Sequence, residues 1–243
     1  MENRKISVCM ATYNGEKYIL EQLQSILKQL KPEDEVIISD DGSTDSTLYI
    51  IEALNDPRIH IYMNEKEHGY TKNFENALNH AAGDIIFISD QDDVWTDDKV
   101  KVMCEALKGK KLAVHDAFVT DENLGVKIPS FFEHYGIRQG FLRTLLYTRY
   151  TGACMAMKRE FMELSLPFPE NQQLCPYDYW FAYLGEYLKE AVLVHVPLIY
   201  YRRHENTALH AGEYSTRSLR EKIETRIYCL RELQKRLRER KAV

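Results

Sequence analysis

Phe87-Ile88-Ser89-Asp90-Gln91-Asp92-Asp93-Val94-Trp95, with the Asp84-Ile85-Ile86 that leads into it, is the stretch on which the fold turns. An isoleucine-rich apolar run following Ala81-Ala82-Gly83 reads as a strand buried on both faces, the kind that parallel sheets contain. It breaks off in Ser89-Asp90-Gln91-Asp92, with a third acid at Asp93, so the acids stand where the strand leaves the sheet. In open α/β sheets the crevice beyond the carboxyl ends of the strands is where ligands bind. Three carboxylates within four residues repel one another unless something positive lies between them. A hard divalent cation with oxygen ligands meets that need, and such a cation commonly also holds a substrate's phosphates. The competing reading is an acidic turn in solvent.

Upstream, Ile6 to Met10 reads as a strand that breaks at Ala11-Thr12-Tyr13-Asn14-Gly15. Ile19, Leu23, Ile26, Leu27 and Leu30 then follow helical spacing as far as Pro32. Glu35 to Ser39 is a second strand ending in Asp40-Asp41-Gly42-Ser43-Thr44-Asp45, where Gly42 permits a tight turn and Ser43 or Thr44 is expected to cap the next helix. Arg58 to Met63 is a shorter strand. A helix after Gly69 carries Phe74, Ala77, Leu78 and Ala81 on one face and is stopped by Gly83, and another begins near Asp97, its Asp97 and Asp98 suiting a positive helix N-terminus. The alternation predicts an α/β fold: a wound, mostly parallel sheet with helices on both faces.

Downstream the pattern is less regular. Leu112 to Thr120 reads as a strand, Gly125 to Gly140 as a mobile, ligand-facing loop with Phe131, Phe132, His134 and Tyr135, and Thr151 to Lys158 as a strand. Tyr177 to Leu188 reads as a helix and Ala191 to Val196 as a strand. The division expected is a catalytic body over residues 1–215 and a basic amphipathic helix over 216–243. From Arg217 to Val243 there are ten Lys or Arg against four Glu, so this tail is net +6 and the rest of the chain −11. Leu219, Ile223, Ile227, Leu230, Leu233 and Leu237 form its apolar stripe, which suits packing on the domain, a partner helix, an anionic membrane surface or a basic wall of the site.

Length and composition bound the rest. A chain of 243 residues with 44% hydrophobic and 28% charged content is sized for one globular α/β domain. A net charge of −5 argues against nucleic acid as the main partner, since phosphate neutralisation dominates that affinity. Cys9, Cys104, Cys154, Cys175 and Cys229 include no C-x-x-C pair, which excludes a thiolate zinc site or disulfide framework and points to a reducing compartment. No segment has the eighteen or so apolar residues of a membrane span, and the N-terminal residues lack an export signal's apolar core. The location expected is cytoplasmic, at the inner face of the membrane if bound to it.

Taken together, Ser7 to Ile19, Ile37 to Thr47, His68 to Leu78, Gly83 to Trp95, Thr151 to Ala156, Pro176 to Trp180 and Tyr200 to Thr207 resemble, in order, the motifs of glycosyltransferase family 2. These are inverting enzymes of GT-A fold that use nucleotide-activated sugars. Asp90-Gln91-Asp92-Asp93-Val94-Trp95 and the final Arg202-Arg203-His204-Glu205-Asn206 look most like the bacterial rhamnosyltransferase-like, surface-polysaccharide branch.

The resemblance implies a division of labour. Ala11, Tyr13, Asp41, Lys72, Asp90, Gly152 and Arg202 would contact the donor, Tyr13 stacking on the base and Asp41 accepting the N3 proton of uracil or thymine. Asp92 would ligate Mg²⁺ or Mn²⁺, with His204 as a further ligand or diphosphate contact and Asp90 nearer the ribose or a metal-bound water; the ion would neutralise the departing diphosphate. Asp93 would face the sugar or acceptor. Lys72, Arg202 and Arg203 are phosphate candidates, and Thr151 with Gly152 lets backbone approach the donor sugar. Asp178 takes the position of the catalytic base, with Tyr177, Tyr179, Trp180 and Phe181 excluding water to raise its pKa. The family more often carries an acidic pair here, where this chain has Tyr177. The acceptor expected is a hydroxyl of a glycan or lipid-linked saccharide. The rival readings are a non-catalytic nucleotide-sugar-binding scaffold acting through the tail, and a sugar-nucleotide nucleotidyltransferase, whose basic glycine-rich loop after the first strand Ala11 to Tyr18 does not supply.

Overall fold

A computed structural model of the chain describes residues 4–65, 67–204 and 218–241. The boundary expected after residue 215, and Glu205 and Asn206 of the last motif, lie outside the described residues. The first half alternates strand and helix: β1 (Ile6–Thr12), α1 (Ile19–Leu27), β2 (Glu35–Asp40), α2 (Thr47–Ala53), β3 (Ile59–Met63), α3 (Tyr70–His80) and β4 (Ile85–Ser89). Every residue of β2 and β4, and all of β1 except Ala11, is buried, which is why these strands read as apolar runs and not as alternating ones.

After β4 come β5 (Val94–Trp95), α4 (Lys99–Ala106), β6 (Leu112–Thr120), β7 (Val126–Ile128), α5 (Phe131–Tyr135) and α6 (Phe141–Leu146). A 3₁₀ turn at Gly152–Cys154 leads into β8 (Met155–Lys158), followed by α7 (Arg159–Ser165), α8 (Tyr177–Tyr187), β9 (Ala191–Arg202) and α9 (Leu219–Lys241). The sheet runs β3-β2-β1-β4-β8-β6-β9-β5, with β7 on β6, and helices lie on both faces. β1, β2, β3, β4, β6 and β9 point one way; β5, β7 and β8 oppose them.

This order gathers chain ends far apart in sequence. Thr12 is level with Asp40, Met10 with Ser89, and Thr120 with Arg202, so the carboxyl ends of β1, β2, β4, β6 and β9 share one rim. The acid run leaves the sheet on that rim, and so does the segment from Arg202 to His204.

Several expectations are corrected. Neither Ser43 nor Thr44 caps α2, which starts at Thr47 after Ser46; Ser43 instead donates its hydroxyl to Asp40 (2.7 Å) and Thr44 its N–H to Asn14 (2.8 Å). The segment from Gly125 to Gly140 is not an open loop. It holds β7 and α5, with Phe131 and Phe132 in the core and Ser130 capping α5 by accepting the Glu133 N–H. The strand expected from Thr151 begins at Met155, because Gly152–Cys154 turns first.

The stripe expected on the tail divides. Thr225, Cys229 and Leu233, one helical turn apart, face the domain, whereas Leu219, Ile223 and Ile227 are exposed. Arg236 fastens the docked half. Its guanidinium donates to the carbonyls of Leu164, Leu166 and Pro167 and lies over the Trp180 ring, 5.4 Å from its centre. Three acceptors lose their donor in Arg236→Ala, which is expected to cost about 2 kcal/mol, read as a lowered midpoint in urea unfolding.

Candidate functional site

At the end of β4 the loop from Asp90 to Asp93 crosses toward β5, and carboxylate oxygens of Asp90, Asp92 and Asp93 lie within 4.8 Å of one another. Asp93 is only 1% exposed, so it does not face a sugar or acceptor as expected. One of its oxygens accepts the backbone N–H of Arg202 (3.0 Å), and the other has no hydrogen-bond partner among the described residues. His204 Nε2 sits 2.8 Å from Asp92 Oδ2, across 112 residues of chain, because β9 ends on the rim where the acid loop begins. Burial first, and then the neighbouring carboxylates, pushes Asp90 and Asp93 above the ordinary carboxylate range.

That group fits a hard divalent cation: oxygen donors at short range, one imidazole, an unpartnered buried oxygen, and Asp90 and Asp92 open enough for substrate to share the ion.

Beneath the acids lies a lysine that sequence reasoning missed. Lys99 is fully buried, its ammonium donating to the carbonyl of Ala153 (2.9 Å) and resting 4.1 Å from the centre of the Trp95 ring. Desolvation pushes its pKa down to about 7, against the pull of Cys154, Asp93 and Asp90. His115 is equally buried, and burial together with Lys99 holds it well below the usual imidazole value. The signal available was spacing: Lys99 shares a helical face with Val100 and Met103, both buried, but its polar letter concealed a place on an inward stripe.

Two glutamines hold the acid loop in place. Gln91 exchanges two hydrogen bonds of 3.0 Å with the backbone of Tyr13, accepting its N–H and donating to its carbonyl. Gln22, buried on α1, donates to the Ser89 hydroxyl (2.8 Å) and the Asp90 carbonyl (2.9 Å). Arg202 adds the third brace. Only 4% exposed, its guanidinium donates to the carbonyls of Asp92 (2.7 Å) and Glu122 and pairs with Glu21 (2.6 Å), over the Tyr18 ring. These contacts commit it to protein acceptors and leave it holding the loop rather than reaching for a diphosphate.

On the neighbouring strands, Ala11 is half-buried opposite Ser39, and Tyr13 presents a ring that is 55% exposed beside the acid loop. Asp41 is buried, accepting from Asn64 Nδ2 (2.7 Å) and the Gly69 N–H (2.9 Å). Gly42, at φ +85, makes the turn beyond it. Lys72, in the first turn of α3, pairs with the buried Glu75 (2.9 Å). Among the described residues no direct contact joins Asp41 or Lys72 to the acid group. Arg203 donates to the Tyr135 hydroxyl (3.1 Å).

Across the cleft, α8 brings Tyr177 and Asp178. A Cβ on Gly152 would lie 1.9 Å from the Tyr177 hydroxyl, so the 3₁₀ turn and α8 meet only because residue 152 is glycine. Asp178 is half-buried and near enough to Asp90 to raise that carboxyl's pKa, so it faces the acids over the cleft. Desolvation raises its carboxyl to about 7, against the lowering effect of the Tyr179 N–H (2.9 Å).

A family model described as glycosyl transferase family 2 matches residues 7–165. The dTDP-rhamnosyl transferase RfbG of Shigella flexneri is 43% identical over 105 residues, covering 40% of this chain and 36% of that protein. UDP-Glc:alpha-D-GlcNAc-diphosphoundecaprenol beta-1,3-glucosyltransferase WfgD of Escherichia coli is 32% identical over 102 residues, covering 42% of this chain and 40% of that protein. The matched stretches thus span less than half of either relative. The crystal structure of S. aureus TarS 1–349 in complex with UDP-GlcNAc aligns with a TM-score of 0.66 at 22% identity, over 91% of this chain and 64% of that one, a likeness of fold.

Proposed function

The chain belongs to glycosyl transferase family 2, and on that premise we propose that it moves a sugar from a UDP- or dTDP-linked donor to a hydroxyl of a glycan or lipid-linked saccharide in surface-polysaccharide synthesis, inverting the anomeric centre. The observation that carries this is the meeting of Asp90, Asp92 and His204 over a buried Asp93 whose second oxygen lacks a hydrogen-bond partner among the described residues. RfbG and WfgD are named for dTDP and UDP donors, and both bases present an N3–H that Asp41 would accept beside the Tyr13 ring.

In this reading Asp92 and His204 hold Mg²⁺ or Mn²⁺, with Asp90 toward the ribose side. The ion, when bound, offsets the charge of the departing diphosphate. Ala11 and Gly152 give close backbone approach to the donor, Lys72 lies toward its phosphates, and Arg202 acts by bracing the Asp92 backbone. Asp178 takes the proton from the acceptor hydroxyl as that oxygen attacks the anomeric carbon. One base and one displacement invert the centre, whereas a double displacement would need a second carboxylate about 5 Å from the first as nucleophile. Residues 1–215 carry this chemistry and 216–243 attach it to its acceptor's surroundings at the inner face of the cytoplasmic membrane. Among the described residues no helix is long and apolar enough to cross a membrane, and the exposed Leu219, Ile223 and Ile227 among basic residues suit contact with an anionic surface.

The test is thermal stabilisation by UDP, dTDP, GDP and CMP, each with and without Mn²⁺. A ligand at 100 times its dissociation constant is expected to add about 2.7 kcal/mol. The expected result is a Mn²⁺-dependent rise with UDP or dTDP that disappears in Asp92→Ala. No rise with any nucleotide would defeat the transferase reading.

A further inference from the structure

Next to Gly152 the chain forms a cavity that the transfer chemistry leaves unused. It holds about 160 Å³ and is walled by Tyr135, Tyr147 and Tyr150 and by three arginines, Arg138, Arg143 and Arg149. One water needs roughly 10–15 Å³ by the same measure, so a group of several heavy atoms fits.

Two of the arginines are held by carbonyls rather than acids. Arg149 donates to the Tyr135 carbonyl (2.6 Å) with its guanidinium 6.0 Å from the ring centres of Tyr135 and Tyr147, and Arg143 donates to the Gly136 carbonyl (3.0 Å). Among the described residues no carboxylate pairs with Arg138, Arg143 or Arg149. Glu186 reaches this wall, but Tyr150 and the Gly140 N–H already occupy its two oxygens. Three arginines on one small cavity, none of them paired with a carboxylate among the described residues, favour an anion there, and their planar forks match the oxygens of a phosphoryl group.

The cavity's position gives it a use. Tyr135 accepts a hydrogen bond from Arg203, the residue before His204, and Tyr150 stands two residues before Gly152, which touches Tyr177 beside Asp178. Its wall is thus tied to the segment that ends in His204, and through the Tyr150 hydroxyl on Glu186 to α8, the helix whose first turn carries Asp178. Leu142 and Leu146 of the adjoining helix α6 and Tyr147 just after it are exposed, and Arg226 of α9 donates to the Leu146 carbonyl, joining this surface to the exposed apolar start of α9.

We infer that this arginine cavity binds a phosphoryl group carried by the acceptor, remote from the hydroxyl that receives the sugar. The inference rests on the transferase reading and extends it to the acceptor's chemistry. Two acceptors share that chemistry: a lipid whose headgroup is phosphate or diphosphate, and a water-soluble glycan bearing phosphate.

The full chain, in EDTA so that no cation bridges phosphate to the acid loop, would be titrated calorimetrically with inorganic phosphate at constant ionic strength. Saturable binding is expected, weakened about tenfold or more in Arg138→Gln/Arg143→Gln and less in Arg143→Lys, which keeps the charge and loses the fork. Equal binding by the double variant, or no saturable binding by the parent chain, overturns the site. Vesicles of phosphatidylcholine with phosphatidic acid distinguish the sources. Sedimentation with them that free phosphate displaces and the double variant lacks assigns the group to a lipid headgroup. Phosphate binding without sedimentation assigns it to a soluble acceptor, and sedimentation that neither phosphate nor the double substitution alters overturns the lipid assignment. Mn²⁺-dependent nucleotide binding is read on the same preparations after exchange into Mn²⁺ without EDTA: its absence defeats the transferase reading, whereas its presence without phosphate binding defeats only the cavity.

Discussion

Asparagine in place of Asp178 is expected to lower kcat by about 10²–10⁴-fold while leaving donor binding close to that of the parent chain. The substitution keeps the shape and removes the proton acceptor, so the loss falls on the chemical step. Burial raises this carboxyl to about 7, which sets the pH dependence. Only the ionised form accepts a proton, so the parent's kcat should climb with pH up to about 7 and then level, and the asparagine variant should lose that limb. Stability runs the other way. An unfolded aspartate titrates near ~3.9, so between there and about 7 the folded chain binds more protons than the unfolded one, and this residue's contribution weakens as pH rises. Asp178→Asn should therefore gain in melting temperature relative to the parent at pH 8 and much less at pH 4. A kcat within threefold of the parent would remove Asp178 from the role of base.

Gly152→Ala is expected to destabilise the fold by about 3 kcal/mol and to depress transfer beyond what that loss explains. The added methyl would meet the Tyr177 hydroxyl at 1.9 Å and its ring carbons at 2.5 Å. Tyr177 has nowhere to retreat, because Phe74, Phe168 and Phe181 pack against it at 4.6, 6.2 and 6.1 Å between ring centres. Relief must come from the 3₁₀ turn, which carries the Ala153 carbonyl that holds Lys99 beneath the acids. One methyl group would thus disturb both walls of the cleft. Removing the ring should return part of the loss, so Gly152→Ala/Tyr177→Ala is expected to fall short of the sum of the two single changes. Additive losses in denaturant unfolding would count against the contact.

The first half of this fold was legible in the chain because strands buried on both faces announce themselves as apolar runs, and each ends in a polar rim loop. The acid cluster was legible for the same reason. The second half was harder to read. β5 is two residues long, and Val94-Trp95 gives no period of its own; it exists because β9 offers an edge. On α9 the six-residue stripe gave a true helix and the inward Leu233 and Leu237, but not the first half of its inward face, where Thr225 and Cys229 are buried by what they touch and Leu219, Ile223 and Ile227 are exposed. Lys99 and Arg202 show the limit most clearly. Long basic side chains are surface residues by default, and only the tertiary fold reveals that one lies beneath the acid cluster and the other is spent on two backbone carbonyls and Glu21.

The Gln91 side chain has a mechanical meaning. By exchanging an N–H and a carbonyl bond with the same residue, Tyr13, its amide repeats the pattern of a hydrogen-bonded rung in an antiparallel ladder. β1 and β4 stop pairing at Met10 and Ser89, yet beyond that point Tyr13 and Gln91 join the two segments again, with a side chain standing in for backbone. On the proposed reading, a nucleotide arriving at this edge meets a loop already cross-braced, with less left to freeze.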